Sequence, residues 1–312
     1  MKVSDRIGRR MKLHDLHVLM AVVQAGGMGK AARRLNTSQS AISRSIAELE
    51  HAFGVCLLDR SRRGVEPTQC GRALLSCGAA VFDELRQGVK SIEFMTDPTA
   101  GEVRVAGNEH IIAGLIATVF GRLHRQHPGI AIDVTSVVPE QYRELRERRV
   151  DLILGRIGGS VEEDIHREVL FHDRTLVVAA PNNRWSRRRE IELPELADEP
   201  WVLPPAGSPA DMLTADVFRA CGLRFPPRGF ARGSVHLLCA LVATGPFLGV
   251  FPRSLLHFGA NLPPLKILPV ELPMPLLPVG IMTLKNRTIS PVAQLFIDCA
   301  RGLAKPLAKR KG

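Results

Sequence analysis

Apolar positions recur at helical spacing through the first part of the chain and at strand spacing beyond it. Leu16, Leu19, Met20 and Val23 predict an amphipathic helix over Leu13–Ala25, closed by Gly26-Gly27. Ala31, Ala32 and Leu35 predict a short buried-faced helix over 29–35. Asn36-Thr37-Ser38 favours a turn, because each of these side chains bonds local backbone. Ser38 is placed to cap a second helix. There Ile42, Ile46, Leu49 and Phe53 form one stripe at spacings of four, three and four. Gln39, Ser40, Ser43 and Arg44 fall on the opposite face, near its start. Residues 55–58 then read as a strand, 59–64 as a polar turn and 65–68 as the returning strand. Thr68 is expected to cap a long helix reaching Met95. In it Leu75, Gly78, Phe82, Leu85, Val89 and Ile92 alternate spacings of three and four, the pattern of a two-helix seam. A partner helix from a second chain is expected along that seam. Packing on the chain's own downstream domain is the alternative.

The pattern changes at Thr96-Asp97-Pro98-Thr99-Ala100-Gly101, which reads as a linker. Strands over 102–106, 130–135 and 150–154 then alternate with helices over 111–125 and 140–148. A second set follows: strand 175–180, short helix 193–196, strand 201–203, helix 210–221, strand 229–231, helix 235–244 and strand 247–251. Residues 265–278 are proline-rich and extended, 279–284 form a further strand and 291–303 a last helix. The basic tail 305–312 is expected to be disordered. Strands alternating with helices imply βαβ units and mostly parallel sheet. The expected fold class is α + α/β: a winged helix-turn-helix over 11–68, a linker and dimerisation helix over 69–98, and a two-lobed α/β domain over 99–312. Lobe 1 is expected at about 99–168 and 273–304, and lobe 2 at about 169–272.

Charge sharpens the reading of the head. The chain of 312 residues has a net charge of +11, which suits an acidic polymer or an anionic ligand. Between Met28 and Arg63, Lys30, Arg33, Arg34, Arg44, Arg60, Arg62 and Arg63 outnumber Glu48, Glu50 and Asp59. Short or forked hydrogen-bonders at the start of one helix suit base edges in the major groove. A hairpin carrying Arg60, Arg62 and Arg63 suits phosphates or a narrow minor groove. In the α/β half, ligands bind beyond the carboxyl ends of strands, where helix N-termini offer free amides. The candidate places are Asn108-Glu109-His110, Ser136-Val137, Gly207-Ser208 and Thr244-Gly245.

Other chemistries find less support. No HExxH, P-loop, GxSxG or CxxC pattern appears, so no enzyme class is indicated. His124-x-x-His127 ends a helix before Pro128 and lacks the further ligands that a structural zinc site needs. Cys56, Cys70, Cys77, Cys221, Cys239 and Cys299 read as buried free thiols, with a redox pair between Cys221 and Cys239 as the alternative. A transport binding protein would need export, and the charged start of the chain shows no secretory signal. The longest apolar run, 237–251, is broken by Gly245-Pro246 and is too short to span a bilayer. A cytoplasmic protein is expected.

The ordered run Ala31-Ala32-x-x-Leu35, Ser38-Gln39-Ser40-Ala41-Ile42-Ser43-Arg44 and Ile46-x-x-Leu49-Glu50 resembles the winged helix-turn-helix of LysR-type transcriptional regulators. Leu57-Leu58-Asp59-Arg60 and Pro67-Thr68-x-x-Gly71 continue the match. Glu199-Pro200-Trp201-Val202-Leu203-Pro204 and Gly249-Val250-Phe251-Pro252 extend it across nearly the full chain. The second half looks similar to the branch of regulators of galactose-binding-protein genes, through 204–209 and Lys285-Asn286-Arg287-Thr288. The resemblance implies an effector domain like periplasmic solute-binding proteins and a homodimer or homotetramer on double-stranded DNA with an inverted-repeat promoter site. It implies no cofactor beyond an unidentified small-molecule effector. By matched position, Gln39, Ser40, Ser43, Arg44 and Arg63 would meet DNA. Asn108, His110, Ser136, Ser208 and Thr244 would lie near the effector. One departure stands out: many members carry Ser or Thr in the first ligand loop, where this chain has Asn108-Glu109-His110. Glu109 would repel a carboxylate if it faced the cleft.

Overall fold

A computed structural model describes residues 11–61, 64–137, 142–159, 162–226, 234–259 and 262–308. The chain forms two units, one up to Gln87 and the other from Gly88, and the division falls within a single helix.

In the first unit, α1 (Leu13–Ala25), α2 (Met28–Arg34) and α3 (Gln39–Phe53) pack around Leu19, Val22, Ala31, Ile42, Ile46 and Leu49. α1 ends on Gly26 at φ 68°, a left-handed position that glycine adopts without strain. Buried Asp15 accepts a hydrogen bond from Ser45 and so ties α1 to the inner face of α3. The hairpin pairs β1 (Leu58–Ser61) with β2 (Gly64–Pro67), from Leu58 opposite Pro67 to Ser61 opposite Gly64. The strand expected over 55–58 is therefore displaced, and Asp59, Arg60 and Ser61 belong to strand rather than turn. The reason lies in α3. The Glu50 carboxylate accepts the Leu57 and Leu58 amides at 2.7 and 3.3 Å, so pairing starts only at Leu58.

α4 (Gln69–Thr96) follows at once. The Thr68 hydroxyl accepts the Gly71 amide at 3.0 Å and donates to the Cys56 carbonyl at 2.8 Å. A Cβ on Gly71 would stand 2.0 Å from the Leu57 carbonyl oxygen, so only glycine lets helix and wing approach this closely. The expected seam divides in two. Leu75 packs on the core of the head, Gly78 abuts Leu16, and the Phe82 ring lies 5.6 Å from His17. Those three positions are therefore filled by the chain's own head rather than by a second chain. Val81, Leu85, Val89, Ile92 and Met95 stay exposed.

In the second unit come β3 (Ala100–Gly107), α5 (Glu109–Ile111), a π turn (Ile112–Ile116), α6 (Ala117–Gln126), β4 (Gly129–Ser136), α7 (Arg143–Arg146) and β5 (Leu152–Arg156). They continue with β6 (Ile165–Asp173), β7 (Thr175–Ala179), β8 (Trp201–Val202), α8 (Pro209–Ala220), α9 (Val235–Ala243) and β9 (Leu248–Pro252). α10 (Arg253–Phe258), β10 (Lys266–Ile267), β11 (Leu277–Leu284) and α11 (Pro291–Ala308) complete the unit. One sheet has the order β4-β3-β5-β11-β6, the other β10-β7-β9-β8. β3 runs parallel to both its neighbours, and β11 runs antiparallel to β5 and β6. Each sheet has its own core, Val105, Leu115, Leu154 and Phe296 in one lobe and Val177, Trp201, Phe218 and Leu248 in the other.

Several elements depart from the sequence expectation. The helix expected over 111–125 starts at Glu109 and contains the π turn. Of the helix expected over 140–148, the described residues form α7 alone, and 140–141 lie outside them. β6, α10 and β10 are additional, and the strand expected over 229–231 lies outside the described residues, as do Arg62 and Arg63. Of the tail expected to be disordered, 305–308 is helical, because Ala304 and Leu307 continue the buried face of α11. Residues 309–312 lie outside the described residues. The cysteines are free, but Cys56, Cys70, Cys77 and Cys221 are exposed and Cys299 half-buried. Only Cys239 is buried, where desolvation pushes its thiol up to about 11 and keeps it protonated.

Candidate DNA-binding face and effector cleft

The start of α3 is built to present polar side chains outward. Ser38 accepts the Ala41 amide at 3.1 Å and lies 2.9 Å from the Ser40 hydroxyl. Gln39, Ser40 and Arg44 are exposed and Ser43 is half-buried. The Gln39 side chain lies over Gly29, where a Cβ would come within 3.3 Å of its Oε1, so a small residue in α2 makes room for it. Lys30, Arg33 and Arg34 are exposed on α2, and Arg60 on β1. Hydrogen-bonding groups and positive charges are thus exposed on α2, the start of α3 and β1.

The second unit holds a cavity of about 420 Å³ between its two sheets. Asn108, Glu109 and His110 reach it from the end of β3, Ser136 and Val137 from the end of β4, and Arg156 from the end of β5. Thr175, residues 202–205, the first turns of α8, and residues 250–252 close it from the other lobe. Three of the four loops expected at a ligand site thus converge. Two of their side-chain oxygens are locally engaged. Asn108 Oδ1 accepts the Ile111 amide at 3.1 Å, and Ser208 accepts the Asp211 amide at 3.2 Å. Thr244 does not join them. It caps the C-terminal end of α9, is exposed, and donates to the Leu241 carbonyl at 2.8 Å. The error has a simple cause: Thr244-Gly245 leads into a strand, so it lies at the opposite edge of the sheet from the helix N-termini.

The titratable groups among the described lining residues of the cavity are Glu109, His110 and Arg156. Burial, with the nearby Arg156 charge, lowers His110 to about 4, so its imidazole is neutral at pH 7. The ring sits 6.5 Å from that of Phe251. Glu109 is engaged from the opposite lobe. Its carboxylate accepts the Val235 amide, in the first turn of α9 in the opposite lobe, at 3.0 Å. Behind Arg156, burial raises the Asp173 carboxyl despite hydrogen bonds from Ser254 and the Arg156 charge. Arg156 escaped the sequence reading as a cavity-lining group, and Glu109 was read there only as a residue that would repel a carboxylate. Arg156 ends a strand of the parallel part of the sheet, which is the signal that could have found it.

His124 packs its ring 5.6 Å from Phe120. Among the described residues, no group of three or more His, Cys, Asp or Glu side chains could hold a metal, and no helix is long and apolar enough to cross a membrane.

A winged head, a long connecting helix and a two-lobed cleft define a class: DNA-binding regulators that answer to a small ligand. Residues 13–72 match the family model described as bacterial regulatory helix-turn-helix protein, lysR family. Residues 96–305 match that described as LysR substrate binding domain. The chain belongs to the LysR family of transcriptional regulators. It is 25% identical over 307 residues to the HTH-type transcriptional regulator GbpR of Azospirillum brasilense, covering 96% of this chain and 89% of that one. Its fold is similar to that of a full-length OxyR variant from Pseudomonas aeruginosa, with a TM-score of 0.65 at 21% identity over 97% of this chain and 99% of that one. It is also similar to full-length CbnR complexed with its target DNA, with a TM-score of 0.60 at 20% identity over 94% and 99% of the two chains. The domains are those of transcription regulators and not of enzymes.

Proposed function

We propose that residues 11–68 read an inverted-repeat promoter site, that 69–98 join two chains, and that 99–312 hold the effector, in a cytoplasmic homotetramer. α3 enters the major groove, with Gln39, Ser40, Ser43 and Arg44 at bases or phosphates. Arg60, Arg62 and Arg63 of the wing meet the backbone or minor groove. The effector occupies the 420 Å³ cavity, against Asn108, His110, Ser136 and Ser208, and Arg156 joins that set. The carrying observation is the start of α3, where four polar side chains cluster on a capped helix beside exposed arginines. CbnR supports this reading, as a protein of similar fold in complex with its target DNA.

The test is fluorescence anisotropy with the protein's own promoter and a scrambled duplex, at several salt concentrations. Affinity falls steeply with salt on both, and a sequence-specific fraction survives. Arg44→Ala removes roughly 1–3 kcal/mol from promoter binding and far less from scrambled binding, if the contact is to a base. Equal loss on both would make Arg44 a phosphate contact. A wild-type protein with no preference for its promoter would overturn the reading.

A further inference from the structure

The cavity's walls are mainly apolar, through Val202, Leu203, Leu213, Leu238, Val250 and Phe251. A ligand that fills them needs an apolar body. Among the described lining residues, Arg156 is the only guanidinium or ammonium, and Glu109 is the only carboxylate. Two further carboxylates stand close by. Asp173 lies near enough to Arg156 to feel its charge, and Asp211 accepts the Gly207 amide at 2.9 Å beside the α8 turn that lines the cavity. Arg156 can pair with one carboxylate of a ligand, whereas a second one would face Glu109, the carboxylate among the described lining residues.

The natural landing place for a second anion would be the first turn of α9, whose amides point outward. The protein's own Glu109 already occupies it, reaching across from the other lobe to the Val235 amide at 3.0 Å. We propose that Glu109 sets the charge of the effector: the cleft takes an apolar-bodied molecule that carries one carboxylate and no second anionic group. This rests on the reading of the cleft as the effector site and adds the ligand's charge to it. Rejection works by placing like charge against the unwanted group, which discriminates more sharply than a better fit to the wanted one.

The test is isothermal titration calorimetry of the full chain with matched probes on two bodies. The monoacids are 4-methylpentanoate and 3-phenylpropanoate, with their amides as neutral forms and isobutylmalonate and benzylmalonate as dianions. Wild type binds the better-fitting monoacid about tenfold or more tightly than its malonate and than its amide. Glu109→Gln, whose side-chain oxygen still accepts the Val235 amide, closes the gap to the malonate. Glu109→Asp, which keeps the charge on a shorter stem, preserves the gap. Equal binding of malonate and monoacid by wild type would overturn the proposal, as would an unchanged gap in Glu109→Gln or failure of every probe to bind. Binding of the amides alone would overturn the charge rule and leave the cleft as the effector site. Leu213→Trp fills the cavity and abolishes binding. Acids that still bind this variant lie elsewhere, which overturns the proposal and the cleft reading together.

Discussion

Asp151 is where three cations of the second unit meet. Its carboxylate takes Arg104 and Arg287 at 2.8 Å each and Lys90 at 3.8 Å, and the Arg104 amide adds a bond at 2.9 Å. The Asp151 and Arg287 side chains are 5% and 3% exposed, so neither charge is relieved by water. Removing one partner leaves the other buried without its counter-charge. Asp151→Ala is therefore expected to destabilise the second unit by about 3–5 kcal/mol, read as a lowered denaturant midpoint. Desolvation works against the ionised form of Asp151, but the hydrogen bonds and charges of Arg104 and Lys90 outweigh it and hold the carboxyl below its usual value. A folded pKa below the unfolded one adds stability that is present at neutral pH and is lost as pH falls through the acid range. Wild type should lose that increment on acidification, and Asp151→Ala should not. The sequence marks Arg287 only as part of a resemblance, and Gly71 likewise. What makes them necessary is a tertiary partner, Asp151 for one and the Leu57 carbonyl for the other, and no local spacing announces such partners.

Elements were legible where period and cap agreed. Ser38 and the stripe of Ile42, Ile46 and Leu49 place α3 as expected, with the Ser38 cap at 3.1 Å and those three residues buried. Ser38→Ala should cost about 1 kcal/mol of stability in the first unit, because the Ala41 amide loses its acceptor. It should also weaken promoter binding, since the same turn carries Gln39 and Ser40. Glycine at this position should recover most of the stability, and an unchanged melting curve in Ser38→Ala would show that the cap is not needed. β6 was hidden for the opposite reason. It is an edge strand paired only with β11, and His166, Arg167 and Glu168 interrupt its apolar alternation. α10, at six residues, is too short to show a helical period, and it forms because Asp173 accepts the Ser254 amide at 3.1 Å at its start. Three of the four loops picked from the sequence line one cavity, because strand ends are readable from pattern. Thr244 was misplaced because its turn leads into β9 and so sits at the amino end of that strand, away from the cavity.

At the scale of the whole molecule, α4 leaves one demand unmet. Val81, Leu85, Val89, Ile92 and Met95 follow one another at spacings of four, four, three and three, and their exposure rises from 41% to 79% along the helix. A contiguous apolar stripe on a helix is stabilised by removal from water, at about 25 cal/mol per Å² buried. Leu75, Gly78 and Phe82 of the same helix already meet the head, so along the expected seam it is the later positions that are open to a partner chain. Two chains joined here would present two copies of α3, and half-sites about 34 Å apart on an inverted repeat require two heads. Leu85 stands near the middle of the stripe. Leu85→Asp should leave the helical content of a chain intact, because the side chain is half-exposed before association. It should abolish dimers, because each interface would then bury two unpaired carboxylates. Sedimentation at micromolar concentration should report the mass of one chain for the variant and a multiple of it for wild type. Promoter affinity should fall towards the scrambled-duplex value in parallel, since a single head gains nothing from the second half-site. A variant that keeps the wild-type mass would show that the chains join through another surface. A variant that becomes monomeric yet keeps full promoter affinity would break the link between the α4 stripe and DNA reading.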